Sequence, residues 1–217
     1  MSEPQHYYVA RQRIFDQNLD TVGFELLYRS GPTSTTAATT VDPDETTRLA
    51  MQAAEKIGWD VVAEGHDVWL NGYNGLIKGE VPINLPPSQT VIEVLETVEP
   101  TAEVVDGIVS HAFAGRRVAL DDFAFGPHAN RLLDVAAVVK LDLKMFDLVG
   151  LANRVLQCKR AHLLVLAEKV ETAGELNFCQ ALGCDLFQGY YLARPEIMST
   201  DPTLSASPTP ASSPAVS

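Results

Sequence analysis

Short apolar runs that end in a polar residue recur along this chain, and they constrain its fold more than any other feature. The runs at 136–141 and 162–167 are almost continuously apolar rather than alternating. Continuous runs of this kind are typical of parallel strands that are covered on both faces. Eight strands are predicted in all, with helical periodicity between most of them after an irregular start. The pattern predicts an α/β fold, a modified (β/α)8 TIM barrel.

The predicted elements follow each other with few gaps. Strands are predicted at 7–15, 21–28, 66–71, 90–95, 117–120, 136–141, 162–167 and 184–187. The first two strands flank turn-forming residues at 16–20, which indicates a β-hairpin. Helices are predicted to begin at Pro43, to span 101–113, and to follow the apolar spacing of Met145, Val149, Ala152 and Leu156. Thr172 and Glu175 form a capping box that opens the last helix, which Gly183 ends.

Two stretches differ in composition from the rest of the 217-residue chain. Residues 30–44 are rich in threonine and predict a long surface loop. Residues 199–217 are dominated by Ser, Thr, Pro and Ala, with neither charge nor aromatic ring from Thr203 onward. Such a segment cannot bury enough apolar surface to offset the entropy of ordering it. We therefore expect one barrel domain over 1–198 and a disordered tail over 199–217.

The net charge of the chain limits its partners. Lysine and arginine total 16 against 28 aspartates and glutamates, which gives a net charge of −12. This acidity excludes coating of a nucleic-acid polymer, which needs a basic face, and it disfavours binding to anionic membranes. It does not exclude a small phosphate ligand.

The sequence also predicts a cellular compartment. The first residues have neither the basic region nor the apolar segment of a signal peptide. No apolar run approaches the roughly 18 residues that cross a bilayer. Cys158, Cys179 and Cys184 are too few for a disulfide framework, and we expect them to be small buried hydrophobes. These features predict a cytoplasmic protein with reduced thiols.

Polar residues of complementary chemistry stand at the ends of the predicted strands from the second to the eighth. They are Glu25, Asn71, Glu93, Asp121, Asp122, Lys140, Glu168 and Gln188. In a barrel these ends meet at one rim, where barrel enzymes place their active sites. Carboxylate and amide oxygens are hard ligands suited to Mg²⁺ or Mn²⁺. Adjacent aspartates can bridge two ions for phosphodiester hydrolysis, while Lys140 and Glu168 orient or deprotonate water and Arg29 holds a phosphate.

Each of these residues alone has a simpler explanation. A strand-end carboxylate is more often a helix cap or a turn acceptor than a metal ligand. Lys140 could extend its ammonium out of the barrel, and Glu96 and Glu171 could be ordinary surface acids. The prediction of a site therefore rests on consecutive strand ends whose ligand types match.

Seven motifs, taken in order, make the chain similar to a known family. They are GFELLYR with Glu25 and Arg29, VWLN ending at Asn71, VIEVLE with Glu93 and Glu96, ALDDF with Asp121 and Asp122, VKLD with Lys140 and Asp142, LAEKVET with Glu168 and Glu171, and FQGY with Gln188. This series resembles EAL domains, the cyclic di-GMP phosphodiesterases of bacterial second-messenger signalling. The resemblance spans residues 8–195, nearly the whole predicted core.

The resemblance implies a barrel whose first strand runs antiparallel, and it implies hydrolysis of cyclic di-GMP to linear pGpG with two Mg²⁺ or Mn²⁺ ions. The implied metal ligands are Glu25, Asn71, Glu93, Asp121 and Asp122. Glu168 is then the general base or a further ligand, and Lys140 holds the attacking water. The implied substrate contacts are Gln12, Arg29, Asp142 and Gln188, and the residues implied to anchor the loop after the fifth strand are Glu96 and Glu171. Members of the family often dimerise, so a homodimer is one expected partner.

Several positions depart from the family pattern. The Glu-Ala-Leu signature is Glu25-Leu26-Leu27, and the usual Gln-Pro-Ile is Gln12-Arg13-Ile14. The usual Gly-Thr-Gly-Tyr-Ser-Ser after Asp-Asp-Phe is replaced by AFGPHA at 124–129, and Lys169 replaces a glycine. These departures resemble the EAL subgroup that is joined to a C-terminal HDOD domain.

Two functions stay open on the sequence alone. The first is a metal-dependent cyclic di-GMP phosphodiesterase, because each implied metal and base position has a residue of the right chemistry. The second is a catalytically weak EAL domain that acts as a cyclic di-GMP receptor or protein-interaction module, which the altered loop after Asp122 favours. An unrelated metal-dependent barrel enzyme would require the seven motifs to be coincidental.

Overall fold

A closed barrel forms the centre of the molecule. The computed structural model describes residues 6–32, 42–121 and 130–203, and across these ranges nine strands form one sheet. They are β1 (Tyr8–Phe15), β2 (Thr21–Tyr28), β3 (Asp67–Gly72), β4 (Thr90–Val94), β5 (Arg117–Leu120), β6 (Val138–Asp142), β7 (Leu164–Glu168), β8 (Leu186–Phe187) and β9 (Glu196–Ser199). Asp122 and residues 124–129 lie outside the described residues.

The strand order confirms the predicted barrel and its antiparallel first strand. β2 to β8 are parallel neighbours in chain order. β1 closes the barrel by pairing antiparallel with both β2 and β8, with Gln12 opposite Glu25 and Phe15 opposite Phe187. The seven parallel strands therefore end at one rim, as the sequence predicts.

Helices cover the outside of the barrel. They are α1 (Pro43–Ile57), α2 (Trp59–Ala63), α3 (Asn74–Ile77), α4 (Ala102–Phe113), α5 (Asn130–Leu133), α6 (Leu148–Arg160) and α7 (Ala173–Leu182). Pro43 is at the start of α1, where the Asp42 carboxylate accepts bonds from two backbone N–H groups. The predicted capping box of Thr172 and Glu175 is present at α7, and Gly183 ends that helix in a left-handed conformation. The short helices α2, α3 and α5 were not predicted from the sequence.

The buried face of α6 differs from the one that its apolar spacing predicts. Leu151, Val155 and Cys158 face the barrel. Val149, which belongs to the predicted stripe, is 70 % exposed, and Leu156 is exposed as well. The helix carries apolar residues on two faces, so periodicity detects the helix but does not decide which face is buried.

The ninth strand lies outside the barrel and was not predicted. β9 pairs antiparallel with β1, with Arg11 opposite Glu196. The Glu196 carboxylate accepts hydrogen bonds from both Arg11 and Arg13, and the Arg11 guanidinium lies 4.3 Å from the centre of the Phe24 ring. The predicted tail begins inside β9, at residue 199, and its part from 204 onward lies outside the described residues.

Buried apolar side chains fill the inside of the barrel and the space between its strands and the surrounding helices. Inside the barrel, Ile14, Trp69, Val91, Val138 and Leu166 form one buried layer. A larger cluster between strands and helices contains all three cysteines, which are buried free thiols. Among the described residues, every helix is too short or too polar to span a bilayer.

Candidate functional site

One buried lysine lies at the centre of the C-terminal rim. Lys140 is on β6 and is only 2 % exposed. Its Nζ donates to Glu93 on β4, lies 2.9 Å from Glu168 Oε1 at the end of β7, and 3.7 Å from Asp121 Oδ1 just after β5. Glu25 on β2 has an oxygen 4.0 Å away. The side chain therefore does not extend out of the barrel, the alternative that the sequence left open, and four predicted site carboxylates converge on its ammonium.

The electrostatics of this cluster are unbalanced. Burial alone would lower the pKa of Lys140, but the surrounding carboxylates outweigh it and raise that pKa well above its ordinary value. Glu93 is fully buried, and desolvation, aided by repulsion from Glu25 and Asp121, raises its pKa well above the usual range. The single Lys140 ammonium therefore does not neutralise all of the carboxylates around it.

Glu168 has the pKa of a group suited to proton transfer. Burial raises the pKa of its carboxyl to about 7, against the attraction of Lys140 and with repulsion from Asp121 and Glu25. A carboxyl with a pKa near neutrality can both accept and release a proton under physiological conditions.

Gln188 links the last barrel strand to the second. Its Nε2 donates to Glu25 Oε2 at 2.9 Å, and its side chain is buried. Gly189 follows, and a Cβ there would lie 2.2 Å from the Val170 carbonyl oxygen. Only glycine fits this close approach, so the backbone itself fixes where Gln188 points. Gln12 on β1 lies opposite Glu25 in the register, and its Nε2 is 3.4 Å from the Ala193 carbonyl oxygen.

Asn71 and Arg29 lie at the same rim without contacting Lys140 in the described contacts. Asn71 is paired in register with Glu93 on the neighbouring strand, so their side chains leave the same face of the sheet. Arg29 follows β2, is buried, and donates from Nη1 to the Tyr28 carbonyl at 2.9 Å. Its burial lowers the pKa of its guanidinium, while Tyr190 and Glu25 act in the opposite direction.

The other predicted residues lie further from the cluster. Asp142 ends β6, where its Oδ1 accepts from the Lys144 backbone N–H at 2.7 Å and its carboxylate pairs with Lys169. Glu171 is exposed and lies 3.2 Å from the Lys144 ammonium. Glu96 is exposed and lies just after β4. The loop after β5, which it is predicted to anchor, lies outside the described residues.

Tyr73 is a rim residue that was not predicted from the sequence. It follows β3 by one residue, and burial, with the negative charges of Glu96 and Asp121, raises the pKa of its phenol. The only signal for it in the sequence is its position two residues after Asn71, which is too weak to use alone.

Comparison with known proteins agrees with this geometry. The EAL domain family profile matches residues 80–195, more than half of the chain. The chain belongs to the EAL domain family.

Relatives of this EAL domain include proteins with named ligands. It is 32 % identical over 196 residues to the cyclic di-GMP phosphodiesterase CdgJ of Vibrio cholerae, covering 88 % of this chain and 45 % of that protein. It resembles BlrP1 of Klebsiella pneumoniae, solved with calcium and cyclic di-GMP, at 25 % identity and a TM-score of 0.68 over 90 % of this chain and 58 % of BlrP1. It also has the fold of a standalone EAL protein of Vibrio cholerae solved with cyclic di-GMP, at 22 % identity and a TM-score of 0.67 over 90 % of this chain and 94 % of the other.

The EAL family implies divalent cations, and the donors at this rim fit them. Glu93 Oε1 and Asp121 Oδ1 are buried and accept no hydrogen bond within the described part of the chain. Orphaned anionic oxygens of this kind are suited to a hard divalent ion. Within the described residues no three acidic, histidine or cysteine side chains already form a metal-binding group, and in this cluster the Lys140 ammonium lies between the carboxylates. The donor set therefore fits an ion in charge and chemistry.

Proposed function

We propose that this EAL domain hydrolyses cyclic di-GMP to linear pGpG with two Mg²⁺ or Mn²⁺ ions at the C-terminal rim. The observation that carries the proposal is the convergence of four carboxylates on one buried lysine, with two orphaned oxygens among them. The named activity and ligands of the relatives support the same chemistry. The chain spans about half the length of the curated relatives it matches, so the activity is proposed for this domain.

The metal ligands in this proposal come from five positions, namely Glu25, Asn71, Glu93, Asp121 and Asp122. Bound divalent ions supply Lewis-acid stabilisation of the charge that develops on the phosphodiester. Ions held by these residues would also offset the negative charges of Glu25 and Asp121, which act together with burial to raise the pKa of Glu93.

Two residues handle water and protons in this proposal. Glu168 takes a proton from the attacking water as general base. The water oxygen bonds to phosphorus while the bond from phosphorus to the leaving ribose oxygen breaks, and that oxygen becomes a hydroxyl of linear pGpG. Lys140 holds that water and keeps Glu168 in place, since its ammonium lies 2.9 Å from the carboxylate. Because Lys140 remains protonated over the physiological range, it donates hydrogen bonds and does not act as the base.

The remaining proposed site residues bind substrate or hold the rim in shape. Arg29 grips a phosphate through its guanidinium fork, and Gln12, Asp142 and Gln188 complete the substrate contacts. Glu96 and Glu171 anchor the loop after β5. Cyclic di-GMP carries only two phosphodiester charges, which divalent ions at the rim would attract. A nucleic-acid polymer would instead be repelled by the net charge of −12 that the whole chain carries.

Chromatography of the reaction products tests the proposal. The purified chain with cyclic di-GMP and Mg²⁺ or Mn²⁺ should release pGpG, and chelation or Glu25→Ala should stop it. Asp67→Asn, which alters an ion pair with Arg117 at the opposite end of the barrel, is the matched control and should retain activity. Binding without product would contradict hydrolysis and favour the receptor function.

We propose further that the chain belongs to the EAL subgroup joined to HDOD domains. The support is the shared departures, namely Leu26 in the signature, AFGPHA at 124–129 and Lys169. A phylogeny of EAL domains that places this chain away from the HDOD-joined sequences would contradict this proposal.

We also propose that the domain forms a homodimer through α6. Leu148, Val149 and Leu156 are exposed apolar side chains on this helix, and exposed apolar surface is a feature of association sites. Sedimentation should show a dimer that Val149→Glu dissociates. Val61→Glu, at an exposed apolar position on α2, is the control and should leave the dimer intact. A monomeric wild-type chain would contradict the proposal.

Finally, we propose that the protein works in the cytoplasm. Its three cysteines are free thiols, as expected for a reducing compartment. Fractionation of cells that express the tagged protein tests this, and recovery in an extracytoplasmic fraction would contradict it.

A further inference from the structure

Lys169 has a backbone conformation that lysine disfavours. It directly follows Glu168 at the end of β7, and its φ is 56°, in the left-handed region. A side chain with a Cβ is strained there, whereas glycine is not. A lysine at such a position calls for a compensating role.

The contacts of Lys169 place its ammonium at the rim. Its Nζ donates to the Asp142 carboxylate, and Asp142 is paired in register with Glu168 across β6 and β7. Asp142 is itself buried and oriented by the Lys144 N–H at 2.7 Å. The ion pair therefore fixes the lysine head at the same edge of the barrel as the carboxylate cluster.

Lys169 is more exposed than the two buried cations of this rim, Lys140 and Arg29. Lys140 and Arg29 are buried, whereas the side chain of Lys169 is 58 % exposed. An anion that approaches the rim from solvent therefore reaches the Lys169 ammonium before it reaches Lys140. An ammonium carries three donors, so one lysine can bridge a carboxylate and a phosphate oxygen.

A purely structural role does not explain this residue. An ion pair with a side chain so exposed contributes little to stability because water and salt screen it. The left-handed backbone opposes even that contribution. Strain that persists beside a site is a recognised mark of function.

We propose that Lys169 is a substrate-positioning residue whose anchored ammonium binds a phosphate oxygen of the cyclic dinucleotide. This inference rests on the proposed function and adds a contact that steers the dianionic substrate into a carboxylate-rich rim. Asp142 serves as the tether that keeps the ammonium over the rim. No proton transfer is assigned to Lys169.

Steady-state kinetics of the full chain with cyclic di-GMP and Mn²⁺ separate positioning from structure. Lys169→Met should raise KM about tenfold and change kcat less than about twofold, because it removes binding and leaves the reacting groups in place. Lys169→Arg should restore KM to within about threefold of wild type. The difference in KM should shrink at high salt.

Two further variants complete the design. Lys159→Met removes the same charge from an ion pair with Asp185 at the opposite end of the barrel, and it should leave KM unchanged. Lys169→Gly should melt at a higher temperature than wild type because it relieves the strained backbone, yet it should show the same rise in KM as Lys169→Met. A Lys169→Gly variant that is more stable than wild type but has a higher KM would show that the lysine serves substrate binding rather than stability.

The outcomes separate this inference from the proposed function. If the wild-type chain neither binds nor hydrolyses cyclic di-GMP, the proposed function fails and the role of Lys169 fails with it. If the wild-type chain is active and Lys169→Met retains its KM, the role of Lys169 alone is overturned. An equal rise of KM in Lys159→Met would overturn it too, since the effect would then reflect net charge.

Discussion

Charged side chains are paired differently at the two ends of the barrel. At the N-terminal end, Arg117 pairs with Asp67, and Lys159 Nζ lies 2.5 Å from both oxygens of Asp185, so that these acids each have their own cation. At the C-terminal rim one buried ammonium is shared among four carboxylates, and two of their oxygens lack a hydrogen bond in the described structure. The matched pairs contribute to stability, whereas the unmatched cluster opposes it and provides a site for cations.

The largest difference between the ends is expected on removing a lysine from each. Lys140→Met leaves several buried carboxylates without their shared cation and should lower the free energy of unfolding by about 3–5 kcal/mol in metal-free buffer. Lys159→Met breaks a partly exposed pair and should cost about 1 kcal/mol or less. Urea denaturation measures both values. Equal losses would show that the rim cluster is no more strained than the opposite end.

A pH series should reveal the same imbalance. Burial raises the pKa of Glu168 from 4.5 to about 7, so the folded protein holds this proton more tightly than the unfolded chain does. The contribution to stability is therefore full below the unfolded pKa and is lost as the pH rises through the folded one, a loss of about 3 kcal/mol for this group.

Protein freed of metal by a chelator should accordingly unfold at a lower urea concentration at pH 8 than at pH 5. Glu168→Gln should reduce this loss of stability with rising pH. Saturating Mg²⁺ should also flatten it, because the ion neutralises the carboxylates. A decline that Glu168→Gln leaves unchanged would place its origin elsewhere in the molecule.

A smaller loss of stability is expected from a substitution in the backbone next to Gln188. A Cβ at Gly189 would lie 2.3 Å from the Val170 nitrogen, so Gly189→Ala should lower stability by about 2 kcal/mol and weaken activity by moving Gln188. Gly174→Ala in the first turn of α7 meets nothing closer than 3.9 Å and is the matched control. Thermal denaturation should show the loss in the first variant and none in the second. Similar melting of both would contradict the close approach.

The smallest expected effect concerns the thiol chemistry of α6. Burial raises the pKa of Cys158 to about 11, so its thiol should react far more slowly with an alkylating reagent at pH 8 than a free cysteine does. Cys158→Ala should leave hydrolysis unchanged, because this side chain of α6 is buried in the apolar core and is not part of the rim cluster. Rapid labelling of Cys158 in the folded protein would contradict its burial.

The sequence predicts the barrel well because its signals are local. Apolar runs, the capping box at Thr172 and the left-handed Gly183 each depend on neighbours in the chain, and the structure contains all of them. β9 was missed because its partner β1 is far away in sequence. The buried face of α6 was wrong because both of its faces are apolar, and only the barrel decides which one is covered.

The sequence predicts which strand-end residues meet at the candidate site, but it does not predict how their side chains are arranged there. Convergence of Glu93, Asp121 and Glu168 follows from the closure of parallel strands, which the pattern predicts. The central position of Lys140 does not follow, because a lysine near a strand end can equally extend into solvent. The tether between Lys169 and Asp142 depends on a left-handed residue that no spacing reveals.

Calorimetric titration of Mn²⁺ into the chelated protein tests the central claim most directly, namely that the unmatched carboxylates of the rim are a cation site. Wild type should bind two ions, and Glu93→Gln or Asp121→Asn should weaken binding by about tenfold or more. Asp67→Asn at the N-terminal end should bind as wild type does. Absence of Mn²⁺ binding by the wild-type protein, or equal binding by all the variants, would contradict the account.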